Sequence, residues 1–146
     1  MQKRTLINEI KNYKGEVNLF GWVHELRDLA NIKFILLRDS SGIIQCALKK
    51  DSKVWNKFSE LTLESVIEVK GIAKEANVKS EEVTINDYEI EVREINLIDK
   101  ADQLPIQIVQ KDKSIQTDLS KRLDHRFLDT RKREISAIFK IRSSIY

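Results

Sequence analysis

The chain has 146 residues, of which 41% are hydrophobic and 34% are charged, enough for one domain core plus an additional segment. The net charge of +3 permits a polyanionic partner, although a solvated mixed-charge surface is the alternative reading. A single cysteine excludes an internal disulfide. The sequence has neither a signal-peptide pattern nor an apolar run near the roughly 20 residues that span a bilayer. We therefore expect a cytoplasmic protein without a membrane partner, in which Cys46 is a core thiol.

The first part of the chain combines a helical pattern with three strand patterns. Apolar residues at helical spacing predict a short helix over residues 5–13. Gly21 lies inside the first strand and suggests a bend or bulge there. The sequence Asp39-Ser40-Ser41-Gly42 is a strong turn signal, so the second and third strands should form a hairpin. The three predicted strands cover residues 16–25, 33–38 and 43–48.

The next part returns to a helix and then to strands. Asp51 and Ser52 favour a helix N-terminus before residues 53–61, which carry apolar residues on one face. Two further strands are predicted over residues 65–74 and 83–98, with a polar loop between them. In the last strand the apolar positions change from even to odd numbers. Such a slip requires a bulge near Arg93 and Glu94.

Three strands, a helix and two strands follow one another in the order of a five-stranded OB barrel. We therefore predict an all-β OB-fold with a helix between strands 3 and 4, a short N-terminal helix and a C-terminal helical extension. The expected domain covers residues 1–104, and the stretch around the only proline, 105–121, reads as a hinge or linker. Helical spacing returns over 137–146 and stops without a C-cap signal, so we expect further sequence downstream.

Two side chains on the predicted second and third strands suit the binding of unpaired bases, because those strands form the usual nucleic-acid face of an OB barrel. Phe34 could stack on a base, or it could be a core phenylalanine. Gln45 is polar within an apolar strand, and its amide offers a donor and an acceptor to one base edge. A solvent-facing glutamine is the alternative.

The charged residues nearby give weaker signals. Glu89 could accept hydrogen bonds from base amino groups, but Glu91 and Arg93 share its alternation, which favours an ordinary strand surface. Arg27, Lys33 and Arg38 could contact phosphates, but any one such residue is more often an ordinary surface charge.

Motifs that would indicate catalysis are absent from the sequence. There is no Gly-rich phosphate loop, no C-x-x-C and no H-E-x-x-H, and the two histidines are far apart. With one cysteine and no clustered ligands, we predict no catalytic residues and no metal site in this chain.

Several segments together resemble a known family. Residues 21–28, 33–39 and 42–45 are similar to the anticodon-binding domain of class II aminoacyl-tRNA synthetases. Residues 122–129 and 137–143 resemble the start of the catalytic domain in aspartyl-tRNA synthetases of the archaeal and eukaryotic type. The resemblance covers nearly the whole chain, and it identifies residues 122–146 as the truncated beginning of that catalytic domain. One departure is Ala30-Asn31, where the family usually has Gly-Gly.

The resemblance implies a role for each candidate residue. It implies that Phe34 stacks on the anticodon, that Gln45 reads the central uracil and that Glu89 contacts the third base. At the position of His24, archaeal relatives with a tryptophan look restricted to tRNA(Asp), whereas a histidine looks associated with tolerance of tRNA(Asn). A simple surface histidine is the other reading of His24.

The implied function is tRNA binding rather than catalysis by this chain alone. The resemblance implies that tRNA(Asp), and through His24 also tRNA(Asn), is oriented for aspartylation by a catalytic domain that lies downstream. The full-length relative is an aspartate–tRNA ligase that uses ATP and Mg²⁺ and forms a homodimer. A free-standing OB-fold nucleic-acid-binding protein without ligase activity is the alternative, and extension of the reading frame beyond Tyr146 separates the two.

Overall fold

A computed structural model of the chain describes residues 4–13, 15–109 and 117–145. The strands are β1 (Glu16–Asp28), β2 (Ile32–Arg38), β3 (Ile43–Lys49), β4 (Val66–Glu75) and β5 (Tyr88–Asp99). Short 3₁₀ helices cover Ile7–Asn12 and Trp55–Glu60. The α-helices are α1 (Leu119–Asp124), α2 (Arg126–Asp129) and α3 (Arg133–Ile145).

The five strands form a closed barrel in the order β1-β2-β3-β5-β4. Neighbouring strands are antiparallel except for the parallel pair β3 and β5. A helical segment lies between β3 and β4 in the chain, as predicted, and the predicted fold class is confirmed. Closure leaves no long open sheet edge within the barrel.

The barrel core follows the period-two pattern of the strands. Val17, Leu19 and Val23 point into the core, whereas Phe20 and Trp22 are only half-buried on the other side of β1. Cys46 is fully buried among them, so the prediction of a core thiol is confirmed. Burial, and secondarily the charge of Glu89, raises the pKa of this thiol well above its ordinary value.

Bulges occur at three places where one strand has a residue more than its partner: at His24 of β1 and at Arg93 and Ile98 of β5. On β5, Lys70 pairs with Glu94 and Gly71 with Val92, so Arg93 is the extra residue. The predicted bulge near Arg93 and Glu94 is thereby confirmed. It brings Ile95 into the core after a run of even-numbered buried residues.

The bulge in β1 lies at His24 and not at Gly21. Val23 pairs with Leu37, and Glu25 pairs with Leu36. His24 therefore has no partner in the ladder between β1 and β2. Gly21 serves another purpose, because an added Cβ would lie 2.3 Å from the carbonyl oxygen of Arg38. Close strand approach, rather than a bend, requires glycine at that position.

Some predicted elements differ in type or extent. Both helices of the barrel unit are 3₁₀ helices of six residues rather than α-helices, and their ends close through i to i+3 hydrogen bonds. No side chain caps the second one, in contrast to the predicted role of Asp51 and Ser52. β5 begins at Tyr88 and not at residue 83, because Thr84 instead donates its backbone N–H to the carbonyl of Ile43.

The chain divides into two compact units, Met1–Gln103 and Leu104–Tyr146. In the second unit, Ile106 and Ile108 pack against Leu128 in a small apolar cluster. The C-terminal helix α3 begins at Arg133, four residues before the predicted helix. Part of the predicted linker, residues 110–116, lies outside the described residues. Among the described helices, none combines the length and apolarity that crossing a membrane would demand.

Candidate nucleic-acid interface

The outer surface of β1, β2, β3 and β5 presents two parallel rows of side chains, one residue from each strand, which we call the outer rows. Register places residues of one row directly beside each other, because paired residues point to the same side of a sheet. The first outer row contains Arg27, Phe34, Ala47 and Glu91. The second outer row contains Glu25, Leu36, Gln45 and Glu89.

Phe34 lies half-buried in the first outer row, between Arg27 and Ala47. Its neighbours in sequence, Lys33 and Ile35, point to the opposite side of β2, where Ile35 joins the core. The ring is therefore on the outer surface, and the reading of Phe34 as a core phenylalanine is wrong.

Gln45 and Glu89 are neighbours in the second outer row, on the parallel strands β3 and β5. The Nε2 atom of Gln45 donates a hydrogen bond to Oε2 of Glu89 at 3.0 Å. Gln45 is only 8% exposed, so the reading of a solvent-facing glutamine is wrong. Phe34 is its diagonal neighbour across β2 and β3, at a Cα separation of about 7–8 Å for such pairs. The structure thus brings Phe34, Gln45 and Glu89 to one face.

Arg27 stands beside Phe34 in the first outer row. Its guanidinium donates to Oε2 of Glu25 at 2.8 Å and to Oγ of Ser80 at 2.9 Å. The hydrogen bond with Glu25 raises the pKa of Arg27 above its ordinary value, so the side chain keeps its positive charge. Arg27 shares the face of the candidate base-binding residues, where a phosphate could be contacted.

Lys33 is not brought to this face. Its side chain points inward at one end of the barrel, where Nζ lies 4.5 Å from the ring centroid of Trp55 and 4.8 Å from that of Phe58. Nζ also lies 3.2 Å from a carboxylate oxygen of Asp28. The ammonium group is thus held by a cation–π contact and an ion pair, on the side of β2 opposite Phe34.

His24, the bulge residue of β1, is only 4% exposed, so the reading of a simple surface histidine is wrong. Arg38 donates to its Nδ1 at 2.9 Å, and its Nε2 lies 3.2 Å from Oε2 of Glu82. Because an arginine can only donate, Nδ1 accepts and Nε2 carries the proton that is donated to Glu82. Burial, reinforced by the charge of Arg38, lowers the pKa of His24 below 6.5, although the hydrogen bond to Glu82 opposes that shift.

The loop between β4 and β5, residues 76–87, lies against the outer surface beside the second outer row. Val78 and Val83 of this loop pack on Leu36 and Ile43. Two hydrogen bonds add to this packing: Ser80 accepts one from Arg27, and Glu82 accepts one from His24. The ring of His24 is itself covered, and its link to this face is the contact with Glu82 of the loop.

Sequence reasoning missed the loop residues that complete the face. Ser80 and Glu82 were read as parts of a polar loop, yet they are partners of residues 53 and 58 positions away. It also missed Glu64, which accepts two hydrogen bonds from Arg38 at 2.8 and 2.7 Å. The one available signal was the pair of valines, 78 and 83, inside a loop that otherwise carries charges.

Comparison with known families matches residues 17–98, which contain the whole barrel except its outermost residues, to the tRNA anticodon family, described as an OB-fold nucleic acid binding domain. The match includes both outer rows and the 76–87 loop.

Curated relatives are similar to nearly the whole chain. The aspartate–tRNA(Asp/Asn) ligase of Haloquadratum walsbyi is 40% identical over 99% of this chain. The aspartate–tRNA(Asp) ligase of Thermoplasma acidophilum is 33% identical over 97% of it. In each case the chain spans about a third of the relative's length, 32%.

A solved structure gives the same picture in three dimensions. The aspartyl-tRNA synthetase of Entamoeba histolytica superposes with a TM-score of 0.81 at 26% identity, over 97% of this chain and 35% of that one. The fold and the family match agree. This chain belongs to the tRNA anticodon-binding family of OB-fold nucleic-acid-binding domains.

Proposed function

We propose that this chain binds the anticodon of tRNA(Asp) as the N-terminal part of an aspartate–tRNA ligase. The observation that carries the proposal is the placement of Phe34, Gln45 and Glu89 side by side on the outer face of an anticodon-family barrel. An aromatic ring beside paired polar groups suits an unstacked base, which offers both a flat face and a hydrogen-bonding edge.

Each residue has a distinct part in the proposed complex. Phe34 stacks on an anticodon base, and the amide of Gln45 donates to O4 of the central uracil while accepting from its N3–H. Glu89 accepts from the third base. Arg27 contacts a phosphate of the loop, which adds affinity without sequence preference. Lys33 is left out of this set because its ammonium group is engaged on the other side of β2.

The same proposal covers the arrangement of the full protein. Residues 1–104 form the anticodon-binding domain, 105–121 the hinge and 122–146 the beginning of the class II catalytic domain. ATP and Mg²⁺ would act in that catalytic domain, and no group of three potential metal-ligating side chains occurs in the part of this chain that the structure describes. The whole protein would be a cytoplasmic homodimer.

The chain is proposed to accept tRNA(Asn) as well as tRNA(Asp). The codons of both amino acids have adenine in the middle, so both anticodons present a central uracil to Gln45. Relatives in Haloquadratum walsbyi and Methanopyrus kandleri are aspartate–tRNA(Asp/Asn) ligases, at 40% and 42% identity. The buried contacts of His24 suggest how it takes part: it holds the 76–87 loop beside the base-binding face.

A binding titration at stated salt tests this function. The chain should bind tRNA(Asp) and tRNA(Asn) more tightly than a tRNA with central adenine, by about 1–3 kcal/mol for the lost base contacts. Affinity should fall steeply as salt rises, because bound phosphates release counterions. Equal affinity for all three tRNAs would contradict the proposal and favour a sequence-tolerant OB-fold binder without ligase activity.

A further inference from the structure

The side-chain amide of Gln45 has two orientations with opposite base preferences. One end of the amide carries two N–H donors, and the other is an acceptor oxygen. Uracil presents an acceptor at O4 beside a donor at N3, whereas cytosine presents a donor at N4 beside an acceptor at N3. A rotation of the amide by half a turn would therefore convert a uracil-reading group into a cytosine-reading one.

The structure holds the amide in one of these orientations. Nε2 of Gln45 donates to Oε2 of Glu89 at 3.0 Å. A carboxylate only accepts, so the rotated amide would place Oε1 against Oε2 with no hydrogen between them. Gln45 is only 8% exposed, so its amide oxygen would face another acceptor largely away from water, which is unfavourable.

Among the paired neighbours of Gln45, Glu89 determines the orientation of the amide. Leu36, its partner on β2, is fully buried and apolar and offers no competing hydrogen bond. Lys74 is the partner of Glu89 on β4, and its ammonium group bonds to Glu91 instead. With one N–H bound to Glu89, the amide keeps its second N–H and its oxygen for a base edge.

We infer that Glu89 makes Gln45 select uracil over cytosine at the central anticodon position by fixing the orientation of its amide. This rests on the proposed function and deepens it. Glu89 is here a positioning residue for the central base, which is separate from a direct contact with the third base. The separation gives a test, because only the central base needs to change.

The test uses two anticodon stem-loop RNAs that differ only in a central uracil or cytosine, each titrated against the full chain. The parent should prefer uracil by roughly 5- to 150-fold, the range of one good base contact. In Glu89→Gln the new amide can accept or donate, so both orientations of Gln45 are satisfied. The preference should fall to within roughly threefold, with tighter binding of the cytosine RNA contributing to the change.

Glu68→Gln is the matched control. Glu68 accepts from the amide of Asn96 at 2.8 Å on the neighbouring strands β4 and β5, away from the outer rows. The preference of Glu68→Gln for the uracil RNA should equal that of the parent. Thermal unfolding checks that each variant folds. If Glu89→Gln does not fold, Glu89→Ala replaces it in the test, with the same expected loss of preference.

The outcomes separate this inference from the proposed function. A parent chain without preference for the uracil RNA would overturn the proposed function. A parent that prefers uracil, together with Glu89→Gln or Glu89→Ala of unchanged preference, would overturn the role of Glu89 alone.

Discussion

His24 is held neutral between a cation and a carboxylate. Arg38 donates to one ring nitrogen, and the other faces Glu82. Glu64 is the further charged group that acts on the ring, and it favours the protonated form. Burial outweighs both carboxylates and lowers the pKa of His24 below 6.5, so a proton binds the unfolded chain more readily than the folded one.

The pH dependence of stability should reveal this residue. The contribution of His24 is fully present above about pH 6.5 and is lost as pH falls through 6.5 towards the lower folded-state pKa. We expect His24→Gln, whose amide can accept from Arg38 and donate to Glu82, to remove this loss. Between about pH 7.5 and about pH 5.5, its unfolding midpoint should fall less than that of the parent.

His125→Gln is the control, because it removes the other histidine, which lies in the second compact unit. Its unfolding midpoint should depend on pH as that of the parent does. If the unfolding midpoints of the parent and of His24→Gln fell equally as pH is lowered, His24 would not be held neutral in the folded protein.

Single residues of the site were predictable where strand parity decided their direction. Phe34 and Gln45 lie on a face that alternation with Ile35 and Cys46 defines. The same parity excludes Lys33, which adjoins Phe34 and must point the other way. The partners of His24 were not predictable, since they come from a loop and from other strands, and their contacts depend on the closed barrel.

At the level of elements, the turn before β4 contains Glu64, whose φ is 67°. Among the residues that the structure describes, it alone combines a side chain with a positive φ. A left-handed backbone costs a side-chain-bearing residue roughly 1–2 kcal/mol. Its carboxylate accepts two hydrogen bonds from Arg38, and the side chains of Glu64 and Arg38 are only 4% and 12% exposed. Breaking a buried pair by removing one partner costs about 3–5 kcal/mol, so the ion pair should outweigh the strain.

Glu64→Gly separates these two effects. Glycine relieves the backbone strain but leaves Arg38 without its carboxylate, so the free energy of unfolding in urea should fall by about 2 kcal/mol. The double variant with Arg38→Met should lose less than the sum of the single variants, because no unpaired charge remains. A Glu64→Gly chain as stable as the parent would contradict this expectation, because it would show that the ion pair does not outweigh the backbone strain that glycine relieves.

The strands were predictable because their core is set by a simple alternation, and even the bulge near Arg93 followed from a change of parity. Helix type was not, because six residues between strands have too few turns to distinguish α from 3₁₀. The start of β5 was misplaced for a similar reason. Val83 and Ile85 are buried like strand residues, but they belong to a loop whose backbone bonds to Ile43.

At the scale of the molecule, all the proposed base-binding residues lie in the first compact unit, Met1–Gln103. The chain spans about a third of its curated relatives, and the proposed aspartylation therefore depends on sequence beyond it. The net charge of +3 permits an RNA partner but carries no sequence preference, so we expect the local geometry of the outer rows to supply the selectivity.

The most direct test of this account is the affinity of four variants for a tRNA(Asp) anticodon stem-loop. Phe34→Ala and Gln45→Ala should each weaken binding by about 1–3 kcal/mol, with Phe34→Ala the larger loss. Phe20→Ala and Asn96→Ala are the matched controls, since both side chains lie where β4 pairs with β1 or β5, away from the outer rows. The account predicts parental affinity for these controls. Parental affinity for Phe34→Ala and Gln45→Ala as well would contradict it.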